Sequence, residues 1–241
     1  MTRRTTISAA AVIIAIALCA LLPATAAADT SSLTLVASPE VIAYNGSSIL
    51  TGVLTNTTAS EAVGDRAVIV QGSASGTGPW TNTLAVITTV PGTAQYTTGQ
   101  YTLIVKPVDK TFYQMTFSGD TALDGAVSNV VSVTPHVYLS KPKVPASVRH
   151  GHKFAVVSYI QPRHAAGVKN VAKAKFYRYD GKKWVYKMSK WMKTSNYLNF
   201  TKLKVRLAIK KTGKWKVRVF APADSKHAET YSAYSKVFKV K

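Results

Sequence analysis

The sequence predicts an all-β protein made of two tandem sandwich domains that follow an N-terminal signal peptide. After residue 29, short apolar segments rich in Val, Thr and Tyr recur about every ten residues, with turn residues between them. This region shows no apolar period of the kind that an α-helix of ordinary length requires. The charge also changes sharply near residue 136, which favours two domains with different surroundings.

Residues 1–28 have the three parts of an export signal. Arg3 and Arg4 precede an apolar run over residues 9–22, and the small residues at 24–28 fit a cleavage site. An uncleaved membrane anchor is the alternative reading, but the apolar run is shorter than the roughly 20 residues that span a bilayer. A cleaved signal would send the mature protein out of the cell.

The single cysteine, Cys19, lies inside this predicted signal. A lipoprotein needs a small residue just before the lipidated cysteine, and Leu18 stands there instead, so lipidation is disfavoured. Cleavage would leave a mature chain with no thiol and no disulfide, and its stability would then have to come from packed cores.

Residues 29–135 are predicted to form one immunoglobulin-like sandwich. Asn45-Gly46 and Pro91-Gly92 are turn signals. The predicted strands cover residues 33–40, 48–54, 66–70, 83–90, 101–105, 112–117 and 127–133. Short strands at this spacing are typical of an immunoglobulin-like sandwich. Residues 30–135 carry 3 Lys and Arg residues against 6 acidic residues, so this domain is near-neutral to slightly acidic.

Residues 136–241 are predicted to form a second sandwich that is strongly basic. This half carries 26 Lys and Arg residues against 3 acidic residues, a net charge of +23. Asp180-Gly181 predicts a tight hairpin. The predicted strands cover residues 153–160, 171–179, 184–192, 198–209, 214–220 and 234–240.

The two halves repeat each other in order, which supports a tandem arrangement. The polar loop that starts at Asp120 has its counterpart in the loop that starts at Asp224. In the strand before that loop, the alignment places Tyr113, Met115 and Phe117 against Trp215, Val217 and Val219.

Two motifs extend this match. A Trp follows a turn in each half, at Trp80 and Trp184, and residues 222–235 contain a Pro-Ala-Asp…His…Ser ending. In these motifs the chain resembles secreted bacterial surface proteins built from tandem immunoglobulin-like repeats, although the first half has Ser-Gly-Asp at 118–120 and no His in that loop. The resemblance implies a fold and a surface setting only, because such repeats serve as adhesins, spacers and wall-associated modules alike.

Neither half shows a pattern typical of an enzyme or a metal site. Asp120 and Asp124 lack the dense oxygen ligands of a calcium loop. His150-Gly151-His152 has no third ligand nearby and is interpreted as a turn, and His227 is interpreted as a structural hydrogen-bonding residue. The sequence therefore predicts a non-enzymatic protein with no catalytic residue, metal or cofactor.

Cations alternate with apolar residues over residues 202–209 and 214–219, which predicts two strands with one buried face and one wet face. In an immunoglobulin sandwich these two strands belong to opposite sheets, so both outer faces are predicted to be cationic. The candidate polyanion-binding residues are Lys202, Lys204, Arg206, Lys214, Lys216 and Arg218, with Lys182, Lys183, Lys187 and Lys190 near them.

Aromatic residues lie among the cations of residues 175–191, and rings in such a setting can stack on sugars or bases. Strict alternation sends Trp184 and Tyr186 to one face and Trp191 to the other, so about half of the rings are expected to fill the sandwich. The candidate stacking residues are Tyr177, Tyr179 and Trp191.

The function predicted from these features is that of a secreted adhesion protein associated with the cell wall. Its basic second domain would attach to anionic envelope polymers, and extracellular DNA and anionic lipid surfaces are nonspecific alternatives. A structural spacer or oligomerisation module is the competing hypothesis, and a charged surface that supports only solubility is the simplest.

Overall fold

A computed structural model describes residues 27–90 and 98–241, with residues 82–86 described by their backbone alone. Every regular element in these ranges is a β-strand, and the same ranges contain no helix with the length and hydropathy needed to cross a membrane. The predicted signal up to residue 26, with Cys19, and the predicted Pro91-Gly92 turn lie outside the described residues.

The first sandwich contains two sheets. The strands described in it are β1 (Ser31–Leu33), β2 (Val36–Ser38), β3 (Val41–Ile42), β4 (Ser48–Asn56), β5 (Glu61–Ala62), β6 (Ala67–Ser73), β7 (Thr81–Thr88), β8 (Gln100–Val105), β9 (Thr111–Phe117), β10 (Ala126–Val127) and β11 (Val131–Pro135). One sheet places β1, β2, β5 and β8 around β4, and the other runs β3-β11-β9-β6-β7, with β10 paired to β9.

The second sandwich also contains two sheets, which we call sheet I and sheet II. Its strands are β12 (Tyr138–Leu139), β13 (Ser147–Val148), β14 (Lys153–Gln161), β15 (Lys173–Tyr179), β16 (Trp184–Trp191), β17 (Lys193–Tyr197), β18 (Phe200–Ala208), β19 (Gly213–Ala221), β20 (Thr230–Tyr231) and β21 (Phe238–Val240). Sheet I has the order β12-β14-β18-β17, and sheet II has the order β13-β21-β19-β15-β16, with β20 paired to β19.

This strand order is that of an immunoglobulin sandwich. Sheet I matches the order A-B-E-D, and β21, β19 and β15 of sheet II match the order G-F-C, with β16 added outside them. The first strand of each sandwich also switches sheets, since β3 pairs parallel to β11 and β13 pairs parallel to β21. The predicted fold of two tandem immunoglobulin-like sandwiches is therefore confirmed.

Each sandwich has its own hydrophobic core. In the second, residues of β14, β15, β18 and β19 alternate between buried and accessible positions, and the core contains Phe176, Trp215 and Phe238. In the first, the Tyr101 hydroxyl donates to the Thr34 carbonyl oxygen, and burial raises the pKa of Tyr101. A Cβ at Gly52 would meet this same oxygen and ring, so this position requires glycine.

The predicted strands are present, but several are shorter or divided. Of the predicted strand at residues 33–40, only residue 33 and residues 36–38 lie in strands, and of that at residues 127–133, only residue 127 and residues 131–133 do. Residues 193–197 lie between two predicted strands and were not assigned to either; they form β17 at the edge of sheet I. The last strand begins at Phe238 and not at residue 234, because the Ser235 hydroxyl already bonds the Val217 amide of the neighbouring strand.

The structure confirms the internal repeat but corrects its register. Asp120 and Asp224 begin equivalent loops, in which the Oδ1 of each accepts from two backbone amides, and they lie five residues after Met115 and Val219, respectively. In keeping with this match, the Ser128 hydroxyl accepts from the Met115 amide at 2.9 Å, and the Ser232 hydroxyl accepts from the Val219 amide at 2.8 Å. Met115 therefore corresponds to Val219, and the predicted match with Val217 is wrong by two residues. Val217 and Val219 both lie on the buried face of β19, so a pattern with a period of two cannot show which of them matches Met115.

We expect Ser232→Ala to lower the free energy of unfolding by about 1–3 kcal/mol, because it leaves the Val219 amide and the Ala233 carbonyl without their hydroxyl partner. Urea denaturation of the purified protein measures the change. Ser225→Ala removes a hydroxyl from an exposed position of the same loop and serves as the control. Equal stability of the two variants would contradict this role for Ser232.

The two sandwiches meet at the loop after β19. Asp109 of the first sandwich pairs with Lys226 at 2.8 Å and lies 3.4 Å from Nε2 of the buried His227. The other ring nitrogen of His227 lies 3.2 Å from Asp224. Burial raises the pKa of Asp224, but hydrogen bonds from the amides of Lys226 and His227 outweigh that effect and lower it overall. His227 therefore occupies a structural position at the junction.

Candidate functional site

The cations predicted on β18 and β19 lie on opposite sheets, as expected from the fold. On β18, the buried residues Leu203, Val205 and Leu207 alternate with Lys202, Lys204 and Arg206, which face outward from sheet I. On β19, the buried residues Trp215, Val217 and Val219 alternate with Lys214, Lys216 and Arg218, which face outward from sheet II. Both outer faces of the second sandwich thus carry cations.

A bulge in the hairpin of β15 and β16 changes the predicted placement of the aromatic residues. Tyr177 pairs with Tyr186 but Phe176 pairs with Met188, so Lys187 is an extra residue on β16. Beyond the bulge the alternation is reversed, and Trp191 pairs with the outward-facing Lys173.

Trp184, Tyr186 and Trp191 therefore lie on one outer face, and the prediction that alternation separates them was wrong. Tyr186 and Trp191 are 50% and 44% exposed, so they do not fill the core. We call this surface the aromatic–cation face; it comprises Lys173, Lys175, Tyr177, Tyr179, Trp184, Tyr186, Trp191, Lys214, Lys216, Arg218, Phe220, Tyr231 and Tyr234.

Cations of this face lie over its rings. The Lys216 ammonium is 3.7 Å from the centroid of Tyr234 and 4.6 Å from that of Trp184. The Arg218 guanidinium is 3.9 Å from the centroid of Tyr231, and Lys175 is 4.0 Å from that of Phe220. Such contacts hold long side chains in place, so less side-chain entropy remains to be lost when a ligand binds.

The ammonium group of Lys216 lies in surroundings that disfavour its charge. Burial lowers its pKa, and the nearby charge of Arg218 lowers it further. Arg218 in turn donates from Nε to the Tyr177 hydroxyl at 3.2 Å. Two positive charges are therefore held close together, an arrangement that an anion would stabilise.

The outer face of sheet I has fewer rings. Tyr159 and Tyr197 lie 4.9 Å apart between centroids, and the Lys202 ammonium lies 6.0 Å from the ring of Tyr197. Arg206 is exposed, and Lys202 and Lys204 are partly exposed. The two outer faces thus differ. The cations of sheet I are accessible to solvent and have few ring contacts, whereas those of sheet II lie against several aromatic rings.

The remaining predicted cations surround the β15–β16 hairpin. Lys182 and Lys183 lie in its turn, where both amides donate to Asp180 Oδ1. The hydrogen bond from the backbone amide of Lys183 is the largest cause that lowers the pKa of Asp180, and the one from the amide of Lys182 is the next. Lys187 is the bulge residue, and Lys190 lies at the end of β16 beside Trp191.

Comparisons with known proteins supply no family for this chain. No family model matches the sequence, and no curated protein matches it. Solved structures that resemble the chain include an ICAM-5 ectodomain fragment of four domains, D1–D4 (9% identity, TM-score 0.43), the three N-terminal domains of the bacteriophage RB49 outer capsid protein Hoc (10%, 0.37) and the Yersinia pseudotuberculosis adhesin InvE (16%, 0.33).

These likenesses cover 87%, 88% and 87% of this chain, respectively. They cover 53% of the ICAM-5 chain, 70% of the Hoc chain and 58% of the InvE chain, so this protein spans about half the length of the ICAM-5 fragment. They say nothing of what this chain binds.

The described residues contain no group of three or more His, Cys, Asp or Glu side chains placed to hold a metal ion. His150-Gly151-His152 forms a turn before β14, with Gly151 at a φ of +74°. Four residues of the aromatic–cation face are not among those predicted from the sequence: Lys173, Phe220, Tyr231 and Tyr234. The alternation of β15 and β19 indicates the first two, but the two tyrosines come from the segment after β19.

Proposed function

We propose that this protein is an extracellular, non-enzymatic adhesion module whose second sandwich attaches electrostatically to anionic polymers of a cell envelope. The observation that carries the proposal is the presence of cations on both outer faces of a domain with a net charge of +23. A charge spread over two faces suits an extended polyanion better than a ligand that enters one cleft.

The first sandwich has the opposite balance, with 3 cations against 6 acidic residues over residues 30–135. We therefore assign attachment to the second sandwich and presentation away from the polymer to the first. Association with a cell wall would follow from export by the N-terminal segment together with attraction to phosphate-bearing or carboxylate-bearing wall glycans.

Fractionation of cells that produce the protein tests this function. We expect the protein in the envelope fraction at low ionic strength and its release by a wash with about 1 M salt, where the Debye length falls to about 3 Å. Protein found only in the medium at low salt, or retained equally after the wash, would contradict electrostatic attachment. The control is a variant that keeps the positive charge through four substitutions, Lys202→Arg, Lys204→Arg, Lys214→Arg and Lys216→Arg.

A further inference from the structure

A groove at the edge of the second sandwich gathers cations from both sheets. The chain leaves sheet II at the end of β16, passes through Met192 and enters sheet I at the start of β17. Beside this crossing lies a groove of about 740 Å³, a volume within the usual range of small-molecule sites. Its lining residues are Lys190, Trp191, Lys193, Thr194, Ser195, Lys204, Val205 and Arg206.

The charge in the groove is of one sign. Four of its lining residues are Lys or Arg, and among the described residues that line it none is acidic. Lys193 and Lys204 are direct cross-strand partners on β17 and β18. Like charges in this position destabilise a strand pair, and a bound anion between them would remove that repulsion.

The groove is also fixed in shape. Met192 is 2% exposed and packs in the core, and the Thr194 hydroxyl donates to the Val168 carbonyl at 3.0 Å. Trp191 and Lys193 flank Met192 and are thereby held at the surface. Trp191 is 44% exposed and brings an indole ring to the same groove as the four cations.

We infer that this groove binds one sugar unit carrying an anionic group, with Trp191 against the sugar ring and Lys190, Lys193, Lys204 and Arg206 around the anion. Charge-assisted hydrogen bonds would hold the phosphate or carboxylate, and the indole would contact the apolar face of the sugar. This inference rests on the proposed function, and it adds a specific subsite and the chemistry of the ligand unit bound there.

The test is a titration of the purified full chain with glucose 6-phosphate, glucuronate, inorganic phosphate and glucose, followed by the NMR signal of the Trp191 indole. We expect both anionic sugars to shift this signal and glucose to leave it unmoved. Glucose 6-phosphate should bind about three- to tenfold more tightly than inorganic phosphate because it adds the ring contact. The relative affinities of glucose 6-phosphate and glucuronate show which anionic group the groove takes.

Two double variants distinguish binding in the groove from a general attraction of anions to the basic domain. Lys193→Gln with Lys204→Gln should weaken glucose 6-phosphate binding by about tenfold or more. Lys236→Gln with Lys239→Gln removes the same charge from two exposed lysines at and just before the last strand of sheet II, outside the groove, and should change the affinity less than about twofold. Trp191→Ala lacks the reporting indole, so its binding is measured by calorimetric titration, and its affinity for glucose 6-phosphate should fall to that for inorganic phosphate.

Equal losses in the two double variants, or equal affinity for glucose 6-phosphate and inorganic phosphate, would overturn the groove as a sugar site. The proposed function has a separate readout, which is retention of the wild-type chain on poly(glycerol phosphate) at low salt. A chain retained there without a Trp191 response refutes the groove alone, and a chain that is not retained refutes polymer attachment.

Discussion

Phe176→Ala is expected to lower the stability of the second sandwich by about 3–5 kcal/mol. Phe176 is fully buried on β15 in the middle of sheet II, where its strand neighbours are Val217 and Met188. Removing the ring deletes buried apolar contacts and leaves a cavity that neighbouring β-strands close only in part.

Urea denaturation followed by Trp fluorescence measures this loss. Three of the four tryptophans lie in the second sandwich, so the signal reports mainly on that domain. Tyr186→Ala removes a ring from the neighbouring strand at a position that is 50% exposed, and it is the matched control. A loss below about 1 kcal/mol for Phe176→Ala, or one no larger than for Tyr186→Ala, would contradict the packing of Phe176 in the core of the second sandwich.

Neutralising the outward cations of β18 and β19 is expected to weaken polymer binding on the order of 10²- to 10³-fold at low salt. The variant replaces Lys202, Lys204, Arg206, Lys214, Lys216 and Arg218 with Gln. All six face outward from the sandwich, so the core residues between them remain unchanged. The measurement is the affinity of the full chain for poly(glycerol phosphate).

The control for this variant exchanges Lys and Arg at the same six positions and thereby keeps the charge. It should bind within about threefold of the wild type, since diffuse attraction depends on charge more than on side-chain shape. Unchanged binding by the Gln variant would instead favour the spacer hypothesis. The denaturation curve of each variant shows that the fold is retained.

The sequence was sufficient for the fold because the apolar alternation of β14, β18 and β19 is regular and turn residues separate the strands. It also placed the six cations of β18 and β19 on two faces, since a period of two fixes the direction of every side chain along an unbroken strand. Those predictions depend only on local pattern and on the usual assignment of neighbouring strands to opposite sheets.

The candidate groove depends on features that local pattern does not encode. No glycine or proline marks the bulge at Lys187, which reverses the alternation and moves Trp191 to the outer face. Lys193 and Lys204 become neighbours only through the register of β17 on β18. Tyr231 and Tyr234 reach the aromatic–cation face from a segment with little regular structure, where periodicity gives no direction.

The affinity of the full chain for poly(glycerol phosphate), measured over a range of salt concentrations with uncharged dextran as the reference, tests the central claim most directly. Each phosphate contact is expected to contribute about 0.7–0.9 to the slope of log K against log salt concentration, so attachment through several cations gives a slope steeper than about −3. A flat salt dependence, equal binding to dextran or no binding at low salt would contradict electrostatic attachment by the second sandwich.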